Sequence, residues 1–247
     1  MWYNTGKETI TRFSMVLSAD NIFSFAAVTV MPLIITILYV VDLLLLVPKY
    51  NKCKYDHTPR RRKLLWKGAC IGVPFLLLVI GTIINSIYRF DYRDILIVIG
   101  MLFCAVGDIM IEIRFFKGGL CFAFGHIFYV IAFFLLNGEF NATALIVYII
   151  LAGCGTFLTV QMLGKKYRPF LIGYNLVISG SFALALPLIL TGRACFVFLG
   201  TGACFLAISD WLLARNKAFK STYGWSLLSL MFYFGGQILI SAYPWIK

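Results

Sequence analysis

Charged side chains are scarce in this sequence. Asp, Glu, Lys and Arg together make up 13% of the 247 residues, whereas 61% are hydrophobic. Soluble domains carry about a quarter charged residues, so this chain lacks the polar side chains that would cover a globular surface in water. The seven cysteines include no C-x-x-C pair and are interpreted as reduced packing residues. The composition therefore excludes a soluble enzyme, a disulfide scaffold and a disordered chain.

Long polar segments are also missing, because the apolar residues occur in blocks of about 20, the length that crosses a hydrocarbon core. Eight such blocks predict an all-α, polytopic transmembrane helical bundle that occupies residues 22–247 as a single domain. Residues 1–21 are expected to be an interfacial or flexible segment. The predicted spans are 22–47, 64–86, 94–114, 119–137, 142–162, 169–191, 193–214 and 224–243.

The basic residues predict an orientation in the membrane. The net charge is +12, and most lysines and arginines lie in the first, third, fifth and seventh connections between spans. Because basic connections stay in the cytoplasm, both termini are expected outside it. Bases in short connections do not form the patch that binds nucleic acid, and the run Arg60–Lys63 is expected to contact anionic lipid headgroups. We expect an integral multi-pass protein, in the endoplasmic reticulum membrane if the source is eukaryotic.

Few ionisable side chains lie inside the predicted spans. Each costs about 2.5–3.5 kcal/mol to insert, so each should have a partner or a function. Asp108 lies late in the third span, His126 early in the fourth and Asp210 late in the seventh, which places all three in the cytoplasmic half. They predict one polar pocket that opens toward the inner leaflet. Further polar residues expected at this depth are Tyr129, Tyr174, Asn175 and Ser209.

Two other acidic residues are interpreted as structural. Asp42 lies near the end of the first span and is expected to extend toward Lys49. Glu112 is expected to form an interfacial ion pair with Arg114 or Lys117.

A pair of buried carboxylates suggests acid–base chemistry. Two such groups in one pocket cannot readily both ionise, so one becomes a proton donor beside a proton acceptor. That pair suits cleavage of an acid-labile bond in a lipid. No metal or cofactor is expected, since no H-E-x-x-H or paired Cys/His spacing is present. The alternatives are a proton-coupled transporter or receptor with a water-lined path, and a structural interaction protein.

Four short motifs, in order along most of the membrane region, resemble the YhhN-type lysoplasmalogenase family. The basic approach to the second helix, which ends in Lys67, is also similar, although Gly68 follows where family members often have proline. The motifs are Val106-Gly107-Asp108-Ile109-Met110, Gly125-His126-Ile127-Phe128-Tyr129, Ile208-Ser209-Asp210-Trp211-Leu212-Leu213, and Tyr233 with Gln237 in the last helix.

The resemblance implies an eight-helix membrane hydrolase of lysoplasmalogens, the 1-alkenyl glycerophosphoethanolamine or glycerophosphocholine lipids. Such an enzyme cleaves the vinyl ether bond and releases a fatty aldehyde and the glycerophospho headgroup. Asp108 and Asp210 would be the catalytic acid–base pair, and Lys67 would bind the headgroup. The partners implied are the lysophospholipid substrate and membrane lipids. The supporting residues would be His126, Tyr129, Tyr174, Asn175, Ser209, Tyr233 and Gln237.

Overall fold

The computed structural model describes residues 31–247 except 57, 140, 163–167 and 220. The predicted segment 1–21 and the beginning of the first predicted span lie outside the described residues. Within those residues every regular element is helical, and a π-helical turn, Asp42–Leu46, joins the first two helices. The helices are α1 (Met31–Val41), α2 (Val47–Tyr55), α3 (Arg60–Tyr88), α4 (Tyr92–Ile113), α5 (Phe115–Asn137), α6 (Ala142–Met162), α7 (Arg168–Leu190), α8 (Ala194–Ala218) and α9 (Tyr223–Ile246).

The all-α transmembrane bundle predicted from composition is confirmed. Helices α3 to α9 are each long and apolar enough to cross a membrane, and their ends agree with the predicted spans to within four residues. The continuous helical stretch of α1, the π-helical turn and α2 corresponds to the first predicted span. The placement of both termini outside the cytoplasm stays a prediction.

The first helical stretch continues beyond the position where its span was predicted to end. Proline and lysines after residue 47 suggested a loop, but the helix runs on to Tyr55. Pro48 lies in the first turn of α2, where a missing backbone N–H is tolerated. The Nδ2 of Asn51, a fully buried residue, donates to the carbonyl of Tyr223 at 3.2 Å and ties α2 to α9. The extra helix therefore brings α2 side chains to the polar end of the bundle.

Glycines allow α4 and α5 to pack backbone against backbone. A methyl group at Gly118 would lie 2.7 Å from the Cα of Ile111, and one at Gly125 would lie 2.9 Å from the carbonyl oxygen of Gly100. Small residues at a helix interface permit this close approach in membranes. Because Asp108 follows one glycine of this interface and His126 follows another, the packing of α4 on α5 fixes the relative positions of both side chains.

The helices differ strongly in burial. α9 is the most buried of the spanning helices and α6 is the least buried. α6 exposes Ile146, Ile149 and Ile150 on the outer surface of the bundle, as expected for a helix that faces lipid. The edge of the bundle that includes α6 also contains the cavity described below.

Candidate functional site

Asp108 is buried on α4 and forms an ion pair with α3. Asp108 is 4% exposed, and its Oδ1 lies 3.3 Å from Nζ of Lys67. The same ammonium lies 3.4 Å from Oε1 of Glu112. Glu112 follows Asp108 by one helical turn, so both carboxylates face α3. The result is a triad of two carboxylates and one ammonium, in which Asp108 and Lys67 are buried and Glu112 is partly exposed.

Tyr50 of α2 completes this triad. Its hydroxyl donates a hydrogen bond to Oε1 of Glu112, and its ring centroid lies 5.5 Å from the Lys67 ammonium. The prediction that Glu112 pairs with Arg114 or Lys117 is therefore wrong. The helical spacing that aligns Glu112 with Asp108 turns it toward α3, whereas Arg114 is the C-cap residue after α4 and has an extended backbone.

Asp210 forms a different kind of pair. The residue is 5% exposed on α8, and its Oδ2 lies 2.8 Å from Nε2 of His126 on α5. The Nδ1 of His126 lies 3.0 Å from the Ser181 hydroxyl of α7, and that hydroxyl donates to the carbonyl of Ile178. The Ser181 contact at Nδ1 leaves Nε2 facing the carboxylate, where a hydrogen bond between Nε2 and Oδ2 needs one proton.

Aromatic rings enclose the His126 imidazole. The rings of Tyr129 and Tyr174 meet it edge-on, with centroids at 6.0 and 6.4 Å. Tyr174 also lies beside the Asp210 carboxylate. The Tyr129 hydroxyl is buried and has no hydrogen-bond partner among the described residues.

The two aspartates lie close enough for their charges to interact. No hydrogen bond joins them directly in the described part of the chain; each carboxylate is bound to its own cationic or imidazole partner. The Cys104 thiol, one turn before Asp108, lies near both. Tyr233 of α9 lies beside Asp108 and accepts a hydrogen bond from Nε2 of Gln237 at 3.1 Å. The structure thus brings the predicted residues into two adjoining clusters.

Ser209 and Asn175 connect helices. The Ser209 hydroxyl donates to the carbonyl of Ser229 at 2.8 Å, and the Ser229 hydroxyl returns the bond at 3.1 Å, which fixes α8 against α9. Asn175 accepts from Nε1 of Trp211 at 3.3 Å and donates to the carbonyl of Ala152 at 3.2 Å. Both residues therefore position α8, the helix that bears Asp210.

A cavity of about 420 Å3 lies between α6, α7 and α8. Its lining is mostly apolar and includes Leu151, Leu158 and Ile178. Among the described residues that line it, Asp210 supplies a carboxylate and Arg215 supplies a guanidinium group. Cavities of this size hold small organic ligands. The cavity therefore gives a ligand access to the Asp210 cluster.

Lys67 is not among the residues that line this cavity. Its side chain is 5% exposed and its ammonium is shared by two carboxylates, so it would have to leave both ion pairs to bind a phosphate. Its assignment to headgroup binding stays a prediction.

The sequence suggested that Asp42 extends toward Lys49, and this prediction is wrong. The residue is 1% exposed, and neither carboxylate oxygen has a hydrogen-bond partner among the described residues. Asp42 lies beside Cys70 of α3, while the Lys49 ammonium lies 5.1 Å from the centroid of the Trp66 ring. Asp42 belongs to the helix face that packs into the bundle together with Leu43, and that orientation overrides its short distance in sequence from Lys49.

Comparison with known protein families decides the relationship suggested by the motifs. The model of the YhhN family matches residues 63–243. The chain belongs to the YhhN family. In this YhhN family member the matched segment contains Lys67, Asp108, His126 and Asp210, whereas Tyr50 lies before it. No curated protein and no solved structure gives a significant match.

Sequence reasoning missed Tyr50, Ser181 and Arg215. Tyr50 lies in a segment interpreted as a loop, and a serine within an apolar helix carries no distinctive signal. Arg215 follows Asp210 by five residues, and the basic residues at that helix end had been interpreted only as markers of orientation. Its position in the cavity lining required the packing of α6, α7 and α8.

Proposed function

We propose that this YhhN family member hydrolyses the vinyl ether bond of lysoplasmalogens to a fatty aldehyde and a glycerophospho headgroup. The observation that carries the proposal is the contact of Asp210 with His126, because Asp210 lines a mostly apolar cavity. A water-soluble substrate would not need an apolar cavity within the membrane. A lipid with an acid-labile bond needs both the apolar surface and the proton donor.

The reaction begins with a proton transfer to carbon. Protonation of the alkenyl carbon distal to the ether oxygen leaves an oxocarbenium ion on the adjacent carbon. Water adds to that carbon and loses a proton, which gives a hemiacetal. The hemiacetal then separates into the aldehyde and the free glycerol hydroxyl. One water is consumed, and the proton lost by water replaces the proton that was given to carbon.

The Asp210–His126 pair is the proton donor in this proposal. Asp210 lines the cavity, and the Ser181 contact holds the imidazole so that Nε2 faces Asp210. After the transfer the same pair accepts the proton from the attacking water, as an acid that becomes a base does in other hydrolyses. Asp210 would then carry out both proton transfers.

Asp108 has an electrostatic role in this proposal. In its triad with Lys67 and Glu112, the Asp108 carboxylate lies beside the Asp210 cluster. A fixed negative charge near a developing cation stabilises the transition state more than the neutral substrate. Lys67 holds the carboxylate in its orientation and favours its charged form.

The test is aldehyde release by the purified, detergent-solubilised protein. The substrates are a 1-alkenyl lysophospholipid and its saturated 1-alkyl counterpart, which has no double bond to protonate. We expect turnover of the alkenyl lipid only. The matched control variant is Asp56→Asn, which removes an exposed carboxylate outside both clusters and should retain full activity. A folded wild-type protein that releases no aldehyde would contradict the proposal.

A further inference from the structure

The cavity between α6, α7 and α8 contains one guanidinium group. Arg215 lines it, five residues after Asp210 on α8. Among the described residues no carboxylate forms an ion pair with Arg215. Its Nη1 donates a 3.3 Å hydrogen bond to the neutral Oδ1 of Asn216. Its positive charge is therefore not neutralised by an acidic side chain of the described chain.

An aromatic ring fixes the orientation of this guanidinium. The Cζ of Arg215 lies 3.9 Å from the centroid of the Trp225 ring on α9. Stacking occupies one face of a guanidinium plane and leaves the N–H groups along its edges able to donate. Guanidinium groups of this kind bind phosphate through paired, charge-assisted hydrogen bonds. The contact with Trp225 thus prepares Arg215 to bind an anion.

The spacing of Arg215 and Asp210 matches a glycerol phospholipid. Five residues along an α-helix correspond to a rise of about 7.5 Å. In a 1-alkenyl lysophospholipid, five single bonds separate the phosphorus from the ether oxygen, a span of roughly 6 Å when extended. Because both side chains line the same cavity, a phosphate at Arg215 would place the vinyl ether at about the axial level of Asp210. The tail then continues along apolar lining residues such as Leu151 and Ile178.

We infer that Arg215 binds the phosphate of the lysophospholipid headgroup and so places the ether bond at Asp210. The phosphate specificity is a property of the cavity, while the identity of the lipid as an alkenyl ether rests on the proposed function. Lys67, which is buried in its triad, would then serve Asp108 rather than the headgroup.

The experiment measures binding without turnover, in micelles of a phosphate-free sugar detergent. The probes are a saturated 1-alkyl lysophospholipid, the corresponding 1-alkylglycerol without phosphate, and inorganic phosphate alone. We expect Arg215→Gln to raise the dissociation constant for the lysophospholipid about tenfold and to change that for the alkylglycerol less than twofold. Arg215→Lys should restore part of the affinity for the lysophospholipid, because it keeps the charge without the planar fork.

Lys217→Gln is the matched control. It removes the same charge two residues further along α8, from a side chain that packs on Phe115 and is not part of the cavity lining. The control should bind the lysophospholipid as the wild type does. Inorganic phosphate should bind far more weakly than the lipid, because it cannot use the apolar lining.

Several results would overturn the inference. Unchanged lysophospholipid binding by Arg215→Gln would do so, as would equal losses for both lipids, equal losses in both variants, or inorganic phosphate binding as tightly as the lipid. Failure of the proposed function would look different. A wild-type protein that binds the lysophospholipid through Arg215 and releases no aldehyde from the alkenyl analogue would contradict hydrolysis and leave the phosphate site in place.

Discussion

The two buried aspartates have the same side chain and similar burial but opposite surroundings. Asp108 faces the ammonium of Lys67 and shares it with Glu112, and it is not among the residues that line the cavity. Asp210 faces the imidazole of His126 and lines the cavity. A lysine ion pair favours a permanent charge, whereas a carboxyl–imidazole pair exchanges a proton. The partner of the carboxylate and its access to the cavity, rather than the carboxylate itself, therefore separate an electrostatic group from a proton donor.

The largest effect is expected for Asp210→Asn. The amide keeps the size of the side chain but cannot share a proton with His126. We expect kcat for the alkenyl lipid to fall at least about 10⁴-fold, with the helical content and gel-filtration profile unchanged. Aldehyde release in a time course checks this. Retention of wild-type turnover would contradict the role of Asp210 as the proton donor.

A smaller but still large loss is expected for Asp108→Asn. The variant removes a charge near the developing cation but leaves the Asp210–His126 pair intact, so we expect kcat to fall about 10²–10³-fold. The pH dependence of kcat that remains should follow that of the wild type, because the proton donor is unchanged. A pH–rate profile checks this. If the profile changes as much as the rate, Asp108 titrates in the reaction and the two aspartates share the acid–base role.

His126→Gln tests the role of His126 as the partner of Asp210. Glutamine can still contact Asp210 but cannot exchange a proton in the relevant pH range, so kcat should fall about 10²-fold. Binding of the saturated 1-alkyl lysophospholipid should stay within a factor of two, because the ring is not required for phosphate or tail contacts in this account. Parallel losses in binding and turnover would indicate that His126 holds the shape of the cavity instead.

Gly118→Ala tests the packing that holds the two clusters beside each other. A methyl group there would lie 2.7 Å from the Cα of Ile111, so α4 and α5 must separate, at a cost of about 1–3 kcal/mol. Thermal unfolding in detergent checks the expected lower midpoint. Gly153→Ala is the matched control, because nothing lies within 4 Å of the added methyl group. Equal midpoints for the two variants would contradict the close packing of α4 on α5.

The smallest effect concerns the opposite end of the bundle and should leave both clusters unaffected. Asp91 precedes α4 and accepts hydrogen bonds from Arg93 and Lys247. The Arg93 hydrogen bonds hold the pKa of Asp91 below its usual value of 3.8. A lowered pKa stabilises the folded state above the unfolded pKa, and that stability is lost as pH falls below it.

Asp91→Asn checks this linkage. Asparagine keeps a side-chain oxygen that can cap α4 but carries no charge. The difference in unfolding midpoint between wild type and variant should therefore be present at pH 7 and shrink as the pH is lowered toward 3. A difference that is constant over this range would show that the charge of Asp91 does not contribute. Turnover at neutral pH should be the same in both proteins.

Much of the fold follows from the sequence, because the span of a membrane helix is set by the length of an apolar block. The predicted span 142–162 coincides with α6, and the ends of the other helices from α3 to α9 differ from the predicted ends by at most four residues. The extension of the first helical stretch to Tyr55 could not be predicted, since Pro48 and the lysines after it are typical of a loop. Its stability comes from tertiary contacts such as that of Asn51 with Tyr223.

The candidate site was predictable in depth but not in direction. Axial position placed Asp108, His126 and Asp210 in one half of the membrane, and the structure brings them into adjoining clusters. Axial position does not say which face of each helix meets which neighbour. The partners Lys67 for Asp108 and His126 for Asp210 depend on the rotation of four helices, and the position of Arg215 in the cavity depends on the packing of three.

The most direct test of the central claim is the fate of the transferred proton. Wild-type protein is incubated with a 1-alkenyl lysophospholipid in D2O. The aldehyde is trapped at once as an oxime, and the mass of the oxime is measured by mass spectrometry. The account predicts one deuterium at the carbon next to the aldehyde carbon, because that carbon receives the proton from the Asp210–His126 pair. Free aldehyde incubated with the Asp210→Asn variant controls for exchange after release. Aldehyde that carries no deuterium would contradict vinyl ether protonation.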